Sequence, residues 1–89
     1  IQKDMSENGY TLLMNLGDEA LAAGNTAEAA DYYQKSLQIR GNNPEVIYKL
    51  GMAYVAAGDQ ETATQYFTDI IMNYPNSDYV DDAKTQRGY

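Results

Sequence analysis

The chain has 89 residues, of which 44% are hydrophobic, and its 13 acidic and 6 basic side chains give a net charge of −7. This composition predicts one small globular domain and disfavours a nucleic-acid or anionic membrane surface, because contacts to phosphate need clustered Lys and Arg. The absence of Cys excludes disulfides, and the absence of His removes the commonest general base and metal ligand. We therefore expect no catalytic residue, no cofactor, no metal site and no nucleic-acid partner.

The first half of the chain predicts one pair of helices. A polar segment over residues 1–9 precedes or extends a first helix over about residues 10–23, which Gly24 ends. Asn25, with Glu28 three residues later, forms a capping-box pattern that begins the second helix. The predicted inner stripes are Leu12, Leu13, Leu16, Ala20 and Ala23 on the first helix and Ala29, Ala30, Tyr33, Leu37 and Ile39 on the second.

The second half predicts another pair. Asn43 caps the third helix and Pro44 occupies its first position, where the missing N–H costs nothing. Gly58 ends that helix, Asp59 caps the fourth, and Pro75 follows the end of the fourth. The predicted inner stripes are Ile47, Leu50, Gly51, Tyr54 and Ala57 on the third helix and Ala63, Phe67, Ile70, Ile71 and Tyr74 on the fourth.

A short final helix is predicted after Ser77, which serves as its cap. Its apolar side is predicted to carry Tyr79, Val80 and Ala83, and its acidic side Asp78, Asp81 and Asp82. Carboxylates at a helix start usually complement the helix dipole, and a calcium loop would need a glycine and a bidentate Glu that this stretch lacks. Tyr79 and Tyr89 are interpreted as amphipathic residues at the surface.

The two halves match each other at an offset of 34 residues. Eight of the 34 aligned pairs between residues 10–43 and 44–77 are identical, including Leu16-Gly17 against Leu50-Gly51. A fixed period of this size predicts stacked helical units, each unable to bury its apolar face alone. Such arrays are typical of binding scaffolds rather than enzymes.

The repeated pattern resembles the tetratricopeptide repeat family. The second unit follows its signature closely, with Ile47, Leu50, Gly51, Tyr54, Ala63, Phe67 and Pro75; the first is looser, with Leu13, Leu16, Gly17, Ala20, Ala29, Tyr33 and Gly41. The resemblance implies an all-α fold of antiparallel helix pairs stacked as a short right-handed solenoid. Its repeats would be 10–43 and 44–77, with residues 78–89 a capping or partial third-repeat helix.

The resemblance also assigns structural roles. Gly17 and Gly51 would lie where the two helices of a pair approach most closely, opposite Ala29 and Ala63, while Tyr33 and Phe67 fill the space between pairs. If Gly88 occupies the same position in a third unit, Lys84 and Arg87 replace large apolar residues there, as a solubilising cap would.

In this family the first helix of each pair lines a concave groove that holds an extended peptide or a partner helix. The resemblance implies that Thr11 and Glu45 point into this groove together with six candidate binding residues: Met14, Asp18, Leu21, Tyr48, Met52 and Val55. They are more apolar than a solvated helix face, so they either bind a partner or pack against the N-terminal segment or the neighbouring pair. The Lys and Asn that clamp chaperone C-termini in one subtype are absent from these positions.

We therefore expect a non-catalytic module that binds a protein or peptide. The alternative is an architectural or self-associating segment of a longer solenoid. The Tyr74-Pro75-Asn76-Ser77 turn is similar to junctions in bacterial cell-envelope members of the family, which favours a periplasmic location over a cytoplasmic one. The apolar runs are too short to cross a bilayer. Because the chain begins at Ile1, we expect a processed chain or a fragment, with any signal or anchor upstream.

Overall fold

The computed structural model describes the backbone of residues 2–87 and the side chains of residues 9–87. All regular structure in this range is helical: α1 (Gln2–Ala22), α2 (Thr26–Ile39), α3 (Pro44–Ala56), α4 (Gln60–Asn73) and α5 (Val80–Arg87). The helices pack chiefly as α1 on α2 and α3 on α4, while α2 on α3 and α4 on α5 join successive pairs. The predicted all-α fold of stacked helix pairs is confirmed.

Each pair turns through the same glycine-containing helix end. Gly24 and Gly58 have φ angles of +85° and +83°, which L-residues rarely adopt. In both turns the glycine N–H donates three residues back, and the next N–H donates five residues back, from Asn25 to Ala20 at 2.8 Å and from Asp59 to Tyr54 at 2.9 Å. This is the Schellman motif, and it reverses the chain within three residues. The predicted ends of the first and third helices are confirmed.

The predicted caps have mixed outcomes. Asp59 caps α4, since its Oδ1 accepts from the Thr62 N–H at 3.1 Å. Asn25 and Asn43 occupy the N-cap positions of α2 and α3, but their side chains accept no capping hydrogen bond. The predicted capping box between Asn25 and Glu28 is therefore wrong. At the start of α2, the backbone carbonyl of Asn25 accepts a hydrogen bond from the Ala29 N–H at 2.9 Å.

Two glycines set the distance between the helices of each pair. A Cβ built on Gly17 would lie 2.5 Å from Cε1 of Tyr33, and one built on Gly51 would lie 2.6 Å from Cε1 of Phe67. Both aromatic side chains are fully buried. The close approach predicted at Gly17 and Gly51 is confirmed, but the nearest facing residue is the ring of Tyr33 or Phe67 and not the predicted Ala29 or Ala63.

The core consists of two clusters that meet at α3. The first holds Ala20, Ala29, Ala30, Tyr33, Val46, Leu50 and Ala53, and the second holds Ile47, Ala63, Phe67, Ile70 and Ala83. Because α3 contributes to both clusters, it joins the N-terminal pair to the C-terminal pair. A change that moves α3 therefore disturbs the packing on both of its sides.

Several residues of the predicted inner stripes lie outside this core. Leu12 and Ile39 are 60% and 46% exposed, and Ala23 and Ala57 are exposed after the ends of their helices. Those parts of the prediction are wrong: Leu12 and Ile39 belong to the first pair, which described neighbours cover on one side only, and Ala23 and Ala57 follow the ends of α1 and α3. The structure instead buries Val46, Ala53 and Ser36, which the prediction did not include.

The short helix α5 closes the second cluster. Ser77 Oγ accepts from the Tyr79 N–H at 3.0 Å, so Ser77 caps the turn that leads into the helix. Ala83 is fully buried, Lys84 is exposed, and Arg87 is half-buried with its Nη1 donating to Thr68 at 3.3 Å. The predictions for Gly88 and Tyr89 concern residues outside the described part of the chain.

Candidate functional site

The six candidate binding residues lie on α1 and α3, and we call them the groove face: Met14, Asp18, Leu21, Tyr48, Met52 and Val55. Met14 and Leu21 pack on the first core cluster, whereas Tyr48, Met52 and Val55 pack on the second. All six are half-buried, so each keeps part of its surface accessible. The apolar members contribute to the core on one side and leave accessible apolar surface on the other. Their role in binding stays a prediction.

Asp18 connects three helices. Tyr33 Oη, on α2, donates to Asp18 Oδ1 at 2.6 Å, and Lys49 Nζ, on α3, donates to both carboxylate oxygens at 3.0 Å. The ion pair is partly exposed, with 39% of the Asp18 side chain and 27% of the Lys49 side chain accessible. Its contribution to stability is therefore modest, and it links α1 to α3. It also compensates the charge that Asp18 brings to the groove face.

Burial raises the pKa of Tyr33, and the hydrogen bond to Asp18 and the charge of Asp18 raise it further. A deprotonated phenol would lose its solvation and face a carboxylate, so the folded protein favours the neutral form. Tyr33 thus remains a hydrogen-bond donor to Asp18 well above the pH at which an exposed tyrosine ionises.

We expect the free energy of unfolding to fall as the pH rises above about 10, and to fall less steeply in a Tyr33→Phe variant. Above that pH the unfolded chain releases a proton that folded Tyr33 retains, so folding requires proton uptake. Each retained proton lowers stability by up to about 1.4 kcal/mol per pH unit. Below the ordinary tyrosine pKa, the folded and unfolded states both keep this proton, so Tyr33 causes no loss of stability there.

Urea unfolding followed by circular dichroism at about pH 8 and about pH 11 would measure the two slopes. Burial also raises the pKa of Tyr48, Tyr66 and Tyr79, so the variant should keep part of the dependence. Equal slopes in the two proteins would show that Tyr33 does not retain its proton.

Tyr48 lies in an aromatic cluster that extends the groove face toward α5. Its ring centroid is 5.7 Å from that of Phe67, with the planes at 48°, and 5.4 Å from that of Tyr79, at 33°. Tyr79 is half-buried against the second core cluster, which agrees with its predicted place on the apolar side of the last helix. The available signal was an aromatic residue directly before the last helix, but its contact with Tyr48 depends on tertiary packing.

A cleft with a volume of about 500 Å³ lies elsewhere, between α2 and α3. It contains no groove-face residue and is lined by Thr26, Ala27, Ala30, Asp31, Gln34, Ala53, Tyr54, Ala57 and Asp59. Both of its carboxylates already have partners: Asp31 pairs with Lys35 at 3.1 Å, and Asp59 caps α4. We therefore do not take this cleft as the candidate site.

The described residues form neither a helix that could span a membrane nor a cluster of potential metal ligands. No helix among them combines the length and the apolar character needed to span a bilayer. No three of their acidic side chains are grouped so that they could hold a metal ion.

Helix pairs stacked through a shared core define a helical-repeat scaffold. A family model described as tetratricopeptide repeat matches residues 20–86, which is about three quarters of the chain. The chain belongs to the tetratricopeptide repeat family, whose members are generally non-catalytic modules for contacts between proteins. Comparisons with curated proteins and with solved structures found no match.

Proposed function

We propose that this domain is a non-catalytic module that binds an extended peptide or a helix of a partner protein across the groove face. The observation that carries the proposal is the half-burial of five apolar groove-face residues: Met14, Leu21, Tyr48, Met52 and Val55. Apolar surface left accessible on one side of a repeat array is typical of an interaction site.

The composition and support of this surface favour binding. Met adapts its shape to a partner, and Tyr buries a large amphipathic ring at a small entropy cost. Tyr48 is held against fully buried Phe67, and Asp18 ties α1 to α3 through Lys49. A surface held in place before binding loses less conformational freedom when a partner docks, which raises affinity.

A second candidate is self-association within a longer solenoid. The observation that favours it is the exposure of Leu12 and Ile39 on the first helix pair, at 60% and 46%. Repeat arrays bury such surface against a neighbouring unit or a capping helix. On the strength of the Tyr74-Pro75-Asn76-Ser77 turn, we propose a periplasmic, cell-envelope location for either function, with the cytoplasm as the alternative.

A Met14→Glu/Met52→Glu variant should lose its protein partner. The matched control is Leu12→Glu/Met72→Glu, which also replaces two apolar side chains by Glu, at exposed positions outside the groove face. We expect affinity capture from lysate of the source organism, quantified by mass spectrometry, to recover the partner at least about tenfold less with the groove variant. This follows because central interface residues contribute about 2 kcal/mol each.

Circular dichroism must show that both variants are folded. Undiminished recovery by the groove variant would contradict binding at the groove face. Recovery of this chain alone, lost in the Leu12→Glu/Met72→Glu control and kept in the groove variant, would support self-association instead.

A further inference from the structure

We infer that the partner segment brings an Arg or Lys side chain to an acidic–aromatic patch formed by Glu45, Tyr48, Tyr79 and Asp82. This inference rests on the proposed function and specifies the chemistry of the partner at the α3–α5 end of the groove face. Two of the four residues, Tyr79 and Asp82, come from the segment that follows the second repeat.

The aromatic part of the patch is a supported platform. The rings of Tyr48 and Tyr79 lie 5.4 Å apart, and Tyr48 also contacts Phe67 at 5.7 Å. Phe67 is fully buried, whereas the two tyrosines are half-buried and keep accessible surface. The platform therefore has a fixed base and a surface that a ligand can reach.

Two carboxylates lie beside this platform. Glu45 precedes Tyr48 by three residues on α3, so the two share a helix face. Asp82 lies in the first turn of α5, close enough to Tyr79 for its charge to raise the pKa of Tyr79. The charges also reach across the two segments: after burial, the largest contribution raising the pKa of Tyr48 is the charge of Asp82, and for Tyr79 it is the charge of Glu45.

The negative charge here is not compensated within the described part of the chain. Among residues 9–87, the ion pairs are Lys35 with Asp31 and Lys49 with Asp18. No Lys or Arg in that range lies within 4.0 Å of the carboxylates of Glu45 or Asp82. At the α1–α3 end of the groove face, the Asp18 carboxylate is thus paired with Lys49. At the α3–α5 end, the carboxylates of Glu45 and Asp82 are available to an external cation.

An Arg or Lys side chain fits this chemistry better than a metal ion. The face of a tyrosine ring attracts an organic cation, and a guanidinium can lie on the ring while it donates to a neighbouring carboxylate. A metal ion would need several oxygen ligands converging on one point, and no three acidic side chains among the described residues are so grouped. A basic partner also agrees with the net charge of −7.

The test combines peptide selection with binding to a variant in which both carboxylates of the patch are replaced by amides. A phage-displayed library of random peptides would be selected on the wild-type domain, keeping peptides that the Met14→Glu/Met52→Glu variant fails to bind. We expect these groove-dependent peptides to be enriched in Arg and Lys. A synthetic peptide from the set should bind a Glu45→Gln/Asp82→Asn variant about fivefold more weakly, since partly exposed cation contacts are modest in strength.

The matched control is Glu28→Gln/Glu61→Gln. It also removes two carboxylates from first helical turns, on α2 and α4, and should leave the affinity unchanged within about twofold. Replacing the key Arg of the peptide by citrulline should weaken binding to the wild type about fivefold and have little further effect on the patch variant, as expected of a direct contact.

The outcomes separate the inference from the proposed function. Groove-dependent peptides without basic enrichment, or with equal affinity for the patch variant, would overturn the inference and leave the proposed function standing. A selection that yields no groove-dependent peptide would overturn the proposed function, and the inference with it.

Discussion

A Phe67→Ala substitution is expected to lower the free energy of unfolding by about 3–5 kcal/mol, the usual cost of deleting a buried ring. Phe67 is fully buried in the second core cluster, packs against Gly51 and supports Tyr48. The cavity left by the ring would be bordered by α3, α4 and α5, which limits its collapse. A domain of this length has a total stability of roughly 4–13 kcal/mol, so much of it would be lost.

Chemical unfolding in urea, followed by circular dichroism, would measure this loss. Met72→Ala is the matched control, because Met72 lies on the same helix with 71% of its surface exposed. We expect the control to change stability by less than about 0.5 kcal/mol. A loss below about 1 kcal/mol in Phe67→Ala would mean that the ring is not held in a packed core.

Two glycine-to-alanine substitutions in α1 are expected to have opposite effects. Gly17→Ala would place a Cβ 2.5 Å from Cε1 of Tyr33, whose ring is fully buried and cannot move aside without repacking. Overpacking of this kind costs about 1–3 kcal/mol, which exceeds the gain of about 1 kcal/mol that alanine brings to a helix interior.

Gly9→Ala makes the same change in the same helix without the same conflict. Its Cβ would lie 3.4 Å from Cδ1 of Ile39, a side chain that is 46% exposed and free to adjust. We therefore expect a gain of about 0.5–1 kcal/mol from helix propensity. Thermal unfolding would measure whether each variant is more or less stable than the wild type. If both variants were stabilised, Gly17 would not be needed for the close approach of α2.

The helices and their pairing were predictable because the signals are local. The apolar period and the stops at Gly24 and Gly58 follow from side-chain spacing and backbone conformation within a few residues, and the offset of 34 residues repeats these local signals along the chain. The close approach at Gly17 and Gly51 was also predictable from the repeat, but the prediction set Ala29 and Ala63 opposite the glycines, whereas the rings of Tyr33 and Phe67 lie nearest to them. The unit bounds 10–43 and 44–77 and the six groove-face residues stay predictions.

Which residues of the predicted inner stripes are buried depends on the tertiary structure and could not be predicted from the sequence. Leu12 and Ile39 follow the helical period, yet both are exposed, because cover depends on the neighbours of an element and not on its own pattern. The same limit applies to the caps: Asn25, Asn43 and Asp59 have similar propensities, but the side chain of Asp59 alone accepts a capping hydrogen bond among them.

The contacts that shape the candidate site join residues far apart in the chain. Lys49 and Asp18 are separated by 31 positions, and so are Tyr79 and Tyr48. By itself the sequence determined the helices, their order in pairs and the family. The angle and distance at which successive pairs stack decided which charges are compensated and which rings meet, because no local energy term couples such distant side chains.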